Sequence, residues 1–489
     1  MTSAASNQYG LDVSSLPTKL FIGGQWRDGS GARIDVYNPS TETVITSVAN
    51  ATVEDAMAAV DAASAAAPSF ARMAPRERAE ILRRSYELMI RDKEKLAYLI
   101  SLENGKSFND SLGEVVYAAE FFRWFSEEAV RINGDLGVAP GGANRMLVIY
   151  QPIGVSVMVT PWNFPAAMAT RKIAPALAAG CTCVLKPATE TPLTAYALAA
   201  LMQEAGVPAG VVNVLTTSTT GRVVDAMLKD PRVRKLSFTG STEVGRVLLA
   251  GAATNIVHCS MELGGNAPFV VFDDADVDAA VEGAMIAKMR NGGQACTAAN
   301  RFYVQRGVYD RFIEKFAARM AAIKVDDGTL RDTGCGPLIN AQAVKTVSEL
   351  VDDAVAKGAR VVVGGKRLER PGHFYLPTVL ADVPADARVL KEEIFGPVAP
   401  IVAFETEEEA IALANATEYG LVSYVYTGNM QRGLRVCEAI ESGMVALNRG
   451  LVSDPAAPFG GVKQSGLGRE GAHHGVLEFL EAKYIATAW

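Results

Sequence analysis

The apolar positions change their spacing repeatedly between residues 150 and 260. Short, nearly continuous apolar runs alternate there with longer stretches in which apolar residues return every three or four positions. The runs predict strands that are buried on both faces, and the stretches predict helices that cover them. The strands are predicted at 155–160, 183–186, 211–215 and 235–238, and the helices at 166–179, 194–205, 221–229 and 242–253. This alternation predicts a parallel sheet wrapped by helices, which is by default a nucleotide-binding architecture.

The segments on either side of this region carry weaker patterns. Two short apolar segments with turns, 21–26 and 36–39, predict edge strands, and four helical patterns follow up to residue 130. The first of these helices should begin with a capping box formed by Thr52 and Asp55. A second α/β unit is predicted to begin at residue 276, and the apolar segment 483–489 is expected to be an edge strand that needs a partner.

Length, composition and charge narrow the class of protein. A chain of 489 residues is long enough for two or three domains, and 49% hydrophobic with 21% charged residues is ordinary for a soluble globular protein. The net charge of −7 gives no basic surface for nucleic acid, and no apolar run reaches the roughly 18 residues of a membrane span. The first eight residues lack the features of a signal or transit peptide. We therefore expect a cytoplasmic protein that binds neither nucleic acid nor membrane.

The six cysteines are scattered along the chain, which argues against a disulfide framework. Cys181 and Cys183 would share one face of a strand, but no second Cys or His pair lies at the spacing of a zinc site. We expect two buried thiols there and no metal site. Four histidines leave little material for a histidine-based catalytic centre.

One cysteine lies in a setting that suits a nucleophile, because Cys296 ends the glycine-containing segment 290–296. Upstream, Glu262 lies beside two glycines at the end of an apolar run, and Asn163 follows the strand predicted at 155–160. A thiol, a carboxylate and an amide are the nucleophile, base and oxyanion donor that covalent chemistry on a carbonyl needs. Each has a plainer interpretation too, as a buried thiol for Cys296 or a surface carboxylate for Glu262. A free thiol has a pKa near 8.5, so Cys296 would need a base or a polarising site.

Two strand ends are candidate phosphate sites. Gly240, Ser241 and Gly245 occur where the strand predicted at 235–238 turns into a helix, and free N–H groups at a helix start suit a pyrophosphate. Lys186 ends another strand of the same predicted sheet. Each signal alone is compatible with an ordinary turn or a solvated lysine. Together they are stronger, because open α/β sheets bind ligands at the carboxyl ends of their strands.

These motifs occur in the order found in the aldehyde dehydrogenase superfamily, which the chain resembles from residue 21 to residue 461. The motifs are Pro161-Trp162-Asn163-Phe164-Pro165, Lys186-Pro187-Ala188, Phe238-Thr239-Gly240-Ser241, Glu262-Leu263-Gly264-Gly265, Gly293-Gln294-Ala295-Cys296 and Glu392-Glu393-Ile394-Phe395-Gly396-Pro397. The resemblance implies an α/β fold with a Rossmann-type parallel-sheet cofactor domain, an α/β catalytic domain and a small β oligomerisation arm. The implied boundaries are 1–130 with 150–260 for the cofactor domain, 261–448 for the catalytic domain, and 131–149 with 470–489 for the arm.

Within the superfamily the chain is most similar to the succinate-semialdehyde dehydrogenases. The similarity implies that Arg171, Arg290 and Ser453 bind the carboxylate at the far end of the substrate. Guanidinium groups suit this role because they hold a carboxylate in a fixed orientation. A structural ion pair remains the plainer interpretation of either arginine.

Two departures from the family pattern bear on redox behaviour and cofactor choice. Ala298 stands where many members have a second cysteine, so no switch through an adjacent disulfide is expected. Thr189 stands where NAD-preferring relatives place a glutamate that holds the adenosine ribose. A carboxylate there would repel a 2′-phosphate and a threonine would not, so we predict NADP as the preferred cofactor and NAD as a second one.

The resemblance implies the oxidation of an aldehyde to an acid, and succinate semialdehyde to succinate is the predicted reaction. Cys296 would attack the carbonyl, Asn163 would stabilise the oxyanion, and Glu262 would activate the water that hydrolyses the thioester. Cofactor-binding roles are implied for Thr160, Pro161, Trp162, Lys186, Thr189, Gly240, Ser241, Gly245, Glu393 and Phe395. The alternatives are another ω-semialdehyde acid such as glutarate semialdehyde, aliphatic or aromatic aldehydes, and, in another class, a cofactor-free cysteine hydrolase or a non-enzymatic role. A homodimer or homotetramer is expected, bridged by 131–150 and the C-terminal strand.

Overall fold

A computed structural model describes residues 9–488 of the chain. The interpretation of the first eight residues, and Trp489 at the end of the predicted last strand, lie outside the described residues. The strands are β1 Leu20–Ile22, β2 Gln25–Arg27, β3 Gly31–Tyr37, β4 Val44–Asn50, β5 Asp135–Val138, β6 Arg145–Pro152, β7 Val155–Val159, β8 Thr182–Lys186, β9 Val212–Val214, β10 Val233–Thr239, β11 His258–Glu262, β12 Ala267–Val271, β13 Ala299–Gln305, β14 Arg360–Val363, β15 Thr378–Ala381, β16 Val398–Phe404, β17 Val422–Tyr426, β18 Met444–Leu447, β19 Gly466–Leu467 and β20 Leu480–Thr487. The α-helices are α1 Val53–Arg72, α2 Pro75–Arg91, α3 Lys93–Asn104, α4 Phe108–Glu128, α5 Pro165–Ala179, α6 Pro192–Glu204, α7 Thr220–Leu228, α8 Thr242–Ala252, α9 Val277–Met289, α10 Tyr309–Ala321, α11 Ala341–Ala356, α12 Glu407–Asn415, α13 Met430–Ala439 and α14 Ala472–Leu477.

The first sheet has the order β19-β11-β10-β7-β8-β9-β1-β2. Its central strands, from β11 to β9, are parallel, and β19 and β1 join their neighbours in the antiparallel direction. Strand β8, the next in the chain after β7, pairs with one edge of β7. Strand β10, which comes later, pairs with its other edge. A crevice therefore opens at the carboxyl ends of β7 and β10, where doubly wound sheets bind their ligands. The predicted parallel sheet is confirmed.

The second sheet has the order β14-β15-β16-β13-β12-β17-β18 and is parallel except for β14. The predicted boundary at residue 261 falls near the passage from one sheet to the other, since β11 ends at Glu262 and β12 begins at Ala267. The segment that links α9 to β13 carries Cys296. The loop before β13 of the second sheet thus places the Cys296 thiol in the crevice of the first sheet.

The third sheet is small and has the antiparallel order β20-β6-β5. The predicted C-terminal arm segment, 470–489, contains two elements with different packing partners. Strand β20 pairs with β6, whereas α14 packs against α4 and α5. In the described residues, no helix combines the length and the apolar character needed to cross a lipid bilayer.

Local sequence signals fixed several helix starts. The predicted capping box is confirmed, since Thr52 accepts from the Asp55 N–H and the Asp55 side chain accepts from the Thr52 N–H. Helix α4 begins at Phe108 rather than at the predicted Leu112, because Ser107 caps it by accepting from the Asp110 N–H at 3.2 Å. The elements that the patterns did not predict, such as β15, β17, β18 and α14, are mostly short.

Candidate active site

The segment that carries Cys296 is a tight loop with little freedom to move. Asn291, Gly292 and Gly293 have positive φ angles of 53°, 59° and 78°, and a Cβ on Gly293 would collide with the Gly396 carbonyl. This close approach and the left-handed backbone require glycine at position 293. The loop is also tied by Gln294, whose Oε1 accepts from the Ile339 N–H at 3.0 Å. The thiol therefore has a fixed position.

Cys296 is partly exposed and lines a cavity of 230 Å³. The pKa of its thiol is raised to about 12, chiefly by burial; Arg171 and Arg290 oppose the rise, and the carboxylates Glu393 and Glu262 contribute to it. In this arrangement the sulfur is protonated at neutral pH. A base or a polarising group must act before the thiol can attack a carbonyl.

Asn163 lines the same cavity and is buried, with 4% of its surface exposed. Its Nδ2 donates to the Gln294 carbonyl at 3.1 Å, which ties the amide to the cysteine loop. An amide nitrogen carries two hydrogens, so one remains for an oxyanion beside Cys296. The structure brings these two predicted residues together.

Glu262 ends β11 and is buried, with 3% of its surface exposed. Among residues 9–488 its Oε2 finds no hydrogen-bond partner. Burial, and then the Glu470 carboxylate, raise the pKa of Glu262 well above its ordinary value, and nearby cations including Arg171 oppose this. A buried carboxyl with a raised pKa and a free oxygen suits a general base that works near neutral pH.

The wall of the 230 Å³ cavity comes from the carboxyl ends of β7 and β10 and from the second α/β unit. It is formed by Pro161, Trp162, Asn163, Met168, Thr239, Gly240, Ser241, Leu263, Gly264, Cys296, Glu393 and Phe395. Four predicted cofactor residues, Thr160, Lys186, Thr189 and Gly245, do not line this cavity. Thr160 and Lys186 are buried at adjacent strand ends, where the Thr160 N–H donates to the Lys186 carbonyl at 3.2 Å, and Gly245 is buried in α8. Burial lowers the pKa of the Lys186 ammonium to about 8.

Thr189 lies in a neighbouring cavity of 430 Å³ that Glu103, Glu190 and His373 also line. Its hydroxyl donates to the Glu190 carboxylate at 3.2 Å. This carboxylate opposes a phosphate near Thr189.

Glu393 is half-buried, and the desolvation of its carboxyl raises its pKa to about 7. Its Oε1 accepts from the Gly265 N–H at 3.3 Å, and a Cβ on Gly265 would lie 2.7 Å from the Cys296 carbonyl oxygen. Glycine at this position thus lets the segment after β11 approach both Glu393 and the cysteine loop. The rings of Phe395 and Trp162 meet edge to face with centroids 5.4 Å apart across the cavity.

A second cavity, of 480 Å³, extends from the start of the cysteine loop. Its lining combines a few polar groups with an apolar wall of Met285, Ile286, Met289 and Leu451. Arg290 and Ser453 both line it, and Arg290 Nη1 donates to the Ser453 hydroxyl at 3.3 Å. The guanidinium lies 4.8 Å from the centroid of the Phe164 ring. In the described part of the chain no carboxylate lies within ion-pair distance of Arg290, so this cation remains available to an anion.

Arg171 is placed differently from the other two predicted carboxylate ligands. It does not line the 480 Å³ cavity, and its Nε lies 2.7 Å from Oε2 of Glu470. The guanidinium stacks 4.0 Å from the centroid of the Phe459 ring. Its Nη2 is buried and, within residues 9–488, has no hydrogen-bond partner. Arg171 is therefore an ion-paired residue whose Nη2 group remains unpartnered within residues 9–488.

Comparison with known proteins decides the family. The sequence model of the aldehyde dehydrogenase family matches residues 26–485. The chain belongs to the aldehyde dehydrogenase family. The dehydrogenase is 56% identical over 445 residues to the succinate-semialdehyde dehydrogenase of Paenarthrobacter nicotinovorans, which covers 91% of this chain and 99% of that protein. It is 51% identical over 478 residues to the glutarate-semialdehyde dehydrogenase of Pseudomonas putida, with 98% and 99% covered. A crystal structure of an E. coli NADP-dependent enzyme superposes with a TM-score of 0.96 at 51% identity, covering 98% of this chain and 99% of that one.

The chain is thus an NAD(P)+-dependent aldehyde dehydrogenase, and the predicted fold and class of reaction are confirmed in preference to a cofactor-free cysteine hydrolase. The residues of the 230 Å³ cavity fit such a cofactor. Gly240 and Ser241 precede the first N–H groups of α8, which suit a pyrophosphate, and the Glu393 carboxylate on the cavity wall can accept hydrogen bonds from hydroxyl groups of a ribose.

Sequence reasoning missed the charged residues that support this dehydrogenase's site. Lys106 and Glu114 form a buried ion pair beneath Asn163, and Asp110 accepts from the Asn291 N–H at 3.0 Å. Lys106 lies between two predicted helices and Glu114 within one, so nothing in the pattern marks them. Glu470 lies inside the glycine-rich segment 466–471, which resembles a dinucleotide motif but lacks its βαβ context.

Proposed function

We propose that this dehydrogenase oxidises succinate semialdehyde to succinate with NADP+ as the preferred cofactor. The observation that carries the substrate proposal is the Arg290–Ser453 pair in the 480 Å³ cavity. Asp110, Glu114 and Glu282 also line this cavity, but within residues 9–488 none of them forms an ion pair with Arg290. A guanidinium without such a partner favours an aldehyde that carries an anionic group. The names of similar proteins support the same class of substrate.

Three residues carry the proposed chemistry. The Cys296 sulfur attacks the aldehyde carbon while its proton passes to a base, and the free N–H of Asn163 holds the oxyanion. When bound, the nicotinamide supplies the hydride acceptor. Glu262 then takes a proton from water, which attacks the resulting thioester and releases the acid and the thiol.

Glutarate semialdehyde is a second candidate substrate, favoured by the 51% identity to the Pseudomonas putida enzyme of that name. It differs from succinate semialdehyde by one methylene. The ratio of kcat/KM for the two acids separates these candidates, and a longer acid that reacts faster would replace succinate semialdehyde in our proposal.

Arg290→Met should lower kcat/KM for succinate semialdehyde by about 100-fold and leave that for butanal within about three-fold. Only the acid carries a carboxylate, so only the acid loses a charge-assisted hydrogen bond. Steady-state kinetics with both aldehydes measure the two ratios. Arg319→Met is the matched control, because Arg319 lines the same cavity but is already paired with Glu282. If butanal loses as much as the acid, Arg290 is structural.

The Glu190 carboxylate opposes NADP+, but the uncharged Thr189, Lys186 at the end of the preceding strand and the NADP-dependent E. coli homologue favour it, and we base the proposed preference on these three. Thr189→Glu should weaken NADP+ binding by about ten-fold or more and affect NAD+ much less, because the new carboxylate would face a 2′-phosphate. Fluorescence titration gives both dissociation constants. Thr189→Gln has similar bulk without the charge and should leave NADP+ binding nearly unchanged. An equal loss for both cofactors in Thr189→Glu would contradict the assignment.

We further propose that the protein is a homodimer or a homotetramer and that it is cytoplasmic. The sheet of β5, β6 and β20 supports it, because Leu136 and Tyr484 of that sheet are 74% and 57% exposed. Exposed apolar residues on a small antiparallel sheet are typical of a surface that another subunit covers.

A further inference from the structure

A buried ion pair lies directly beneath the oxyanion residue. The Lys106 ammonium is 2.5 Å from Glu114 Oε2, and both side chains are fully buried. The same ammonium donates to the Asn163 main-chain carbonyl at 2.5 Å and lies 3.8 Å from the centroid of the Phe164 ring. One lysine thus touches the last two residues of the turn that leads from β7 to α5.

Glu114 extends this arrangement to the start of α5. Its Oε1 accepts from the Ala166 and Ala167 N–H groups at 2.8 and 3.2 Å. These are free N–H groups of the first helical turn, where a carboxylate is favourable. The ion pair therefore holds the strand-to-helix turn from both sides.

The same turn faces the cysteine loop. The Asn163 carbonyl accepts a second hydrogen bond from Asn291 Nδ2 at 2.9 Å, and the Phe164 ring supports the Arg290 guanidinium. A shift of this carbonyl would move the oxyanion amide relative to Cys296. Misplacement of about 1 Å can cost about 100-fold in rate.

We propose that Lys106 is a positioning residue, whose hydrogen bond to the Asn163 main-chain carbonyl fixes the Asn163 amide beside Cys296. Glu114 holds Lys106 in that position. The inference rests on the proposed role of Asn163 as oxyanion donor. Charge-assisted hydrogen bonds are short and directional, which suits them to positioning, whereas a buried ion pair is often no more stabilising than an apolar replacement.

The test replaces both charges at once, because Lys106→Met alone would leave Glu114 buried and unpaired. The double variant Lys106→Met with Glu114→Gln should keep its melting temperature within a few degrees and bind NADP+ normally. Its kcat for succinate semialdehyde and for butanal should nevertheless fall by about 100-fold, the range expected for losing an oxyanion donor. A double variant with kcat within about three-fold of the wild type overturns the proposal.

A double-mutant cycle separates positioning from general damage. If Lys106 acts through Asn163, adding Asn163→Ala to the double variant should cost little more than about three-fold. Losses that multiply fully overturn the proposal. If Asn163→Ala alone keeps normal kcat, the proposed function of Asn163 fails instead, so the two failures are distinguishable.

The matched control is Lys235→Met with Glu478→Gln, a second buried pair at 3.0 Å that contacts His258 and Ser260 and no residue assigned to the site. It should change stability but leave kcat within about three-fold. Glu114→Gln alone keeps the test decisive if the double variant does not fold. The neutral amide holds Lys106 more weakly than the carboxylate does, so kcat should fall part of the way towards that of Asn163→Ala. An unchanged kcat overturns the proposal.

Discussion

Cys296→Ser should reduce kcat for aldehyde oxidation by about 1,000-fold or more. Burial already raises the pKa of the thiol to about 12, and a serine hydroxyl at the same place is a much weaker nucleophile. NADPH formation at 340 nm, with succinate semialdehyde and with butanal, measures the loss. Both aldehydes should be affected equally, since the sulfur reacts with the carbonyl and not with the carboxylate.

The control is Cys437→Ser, because Cys437 is also partly exposed but lies in α13, away from both cavities. It should keep full activity. NADP+ binding to Cys296→Ser should remain normal, which shows that the fold and the cofactor cavity are intact. A Cys296→Ser enzyme with ordinary turnover would rule out the covalent mechanism.

Glu262→Gln should lower steady-state turnover by about 100- to 1,000-fold, because the amide cannot take a proton from the hydrolytic water. The thioester should accumulate, so rapid mixing should show a burst of close to one NADPH per active site. Glu481→Gln, at an exposed position in β20, is the control and should behave as the wild type. A Glu262→Gln enzyme that turns over normally would contradict the base assignment.

The pH profile tests the same residue in the wild type. Burial and Glu470 raise the pKa of Glu262, and only the ionised carboxylate can accept a proton. Below this raised pKa the group is protonated and hydrolysis is slow, so kcat should rise as pH increases through it. This rise should be absent from the kcat profile of Glu262→Gln, whose side chain does not titrate in this range. If kcat of Glu262→Gln still rises with pH as it does in the wild type, another group is responsible for the titration.

The charged network around the site could not have been predicted from spacing. Lys106, Glu114 and Asn163 come from three separate segments, and the contacts between them exist only after α4, β7 and the following turn have packed together. Arg171 illustrates the same limit, since a resemblance assigned it to the substrate while the packing placed Glu470 against its Nε. Pairing of buried charges depends on distances in space, which a single sequence does not contain.

The sequence by itself determined the alternation of strands and helices and the parallel sheet, and it led us to predict Cys296, Glu262 and Asn163 as the chemical groups. It could do so because period, glycine turns and residue chemistry are local properties of the chain. Tertiary structure alone decided that the segment after β11 meets the cysteine loop at Gly265, and which buried cations pair with carboxylates. It also decided that Arg290 reaches Ser453 while no carboxylate of residues 9–488 pairs with it. These outcomes depend on burial and on the approach of segments far apart in sequence, and burial sets both the pKa values and the free donors of the site.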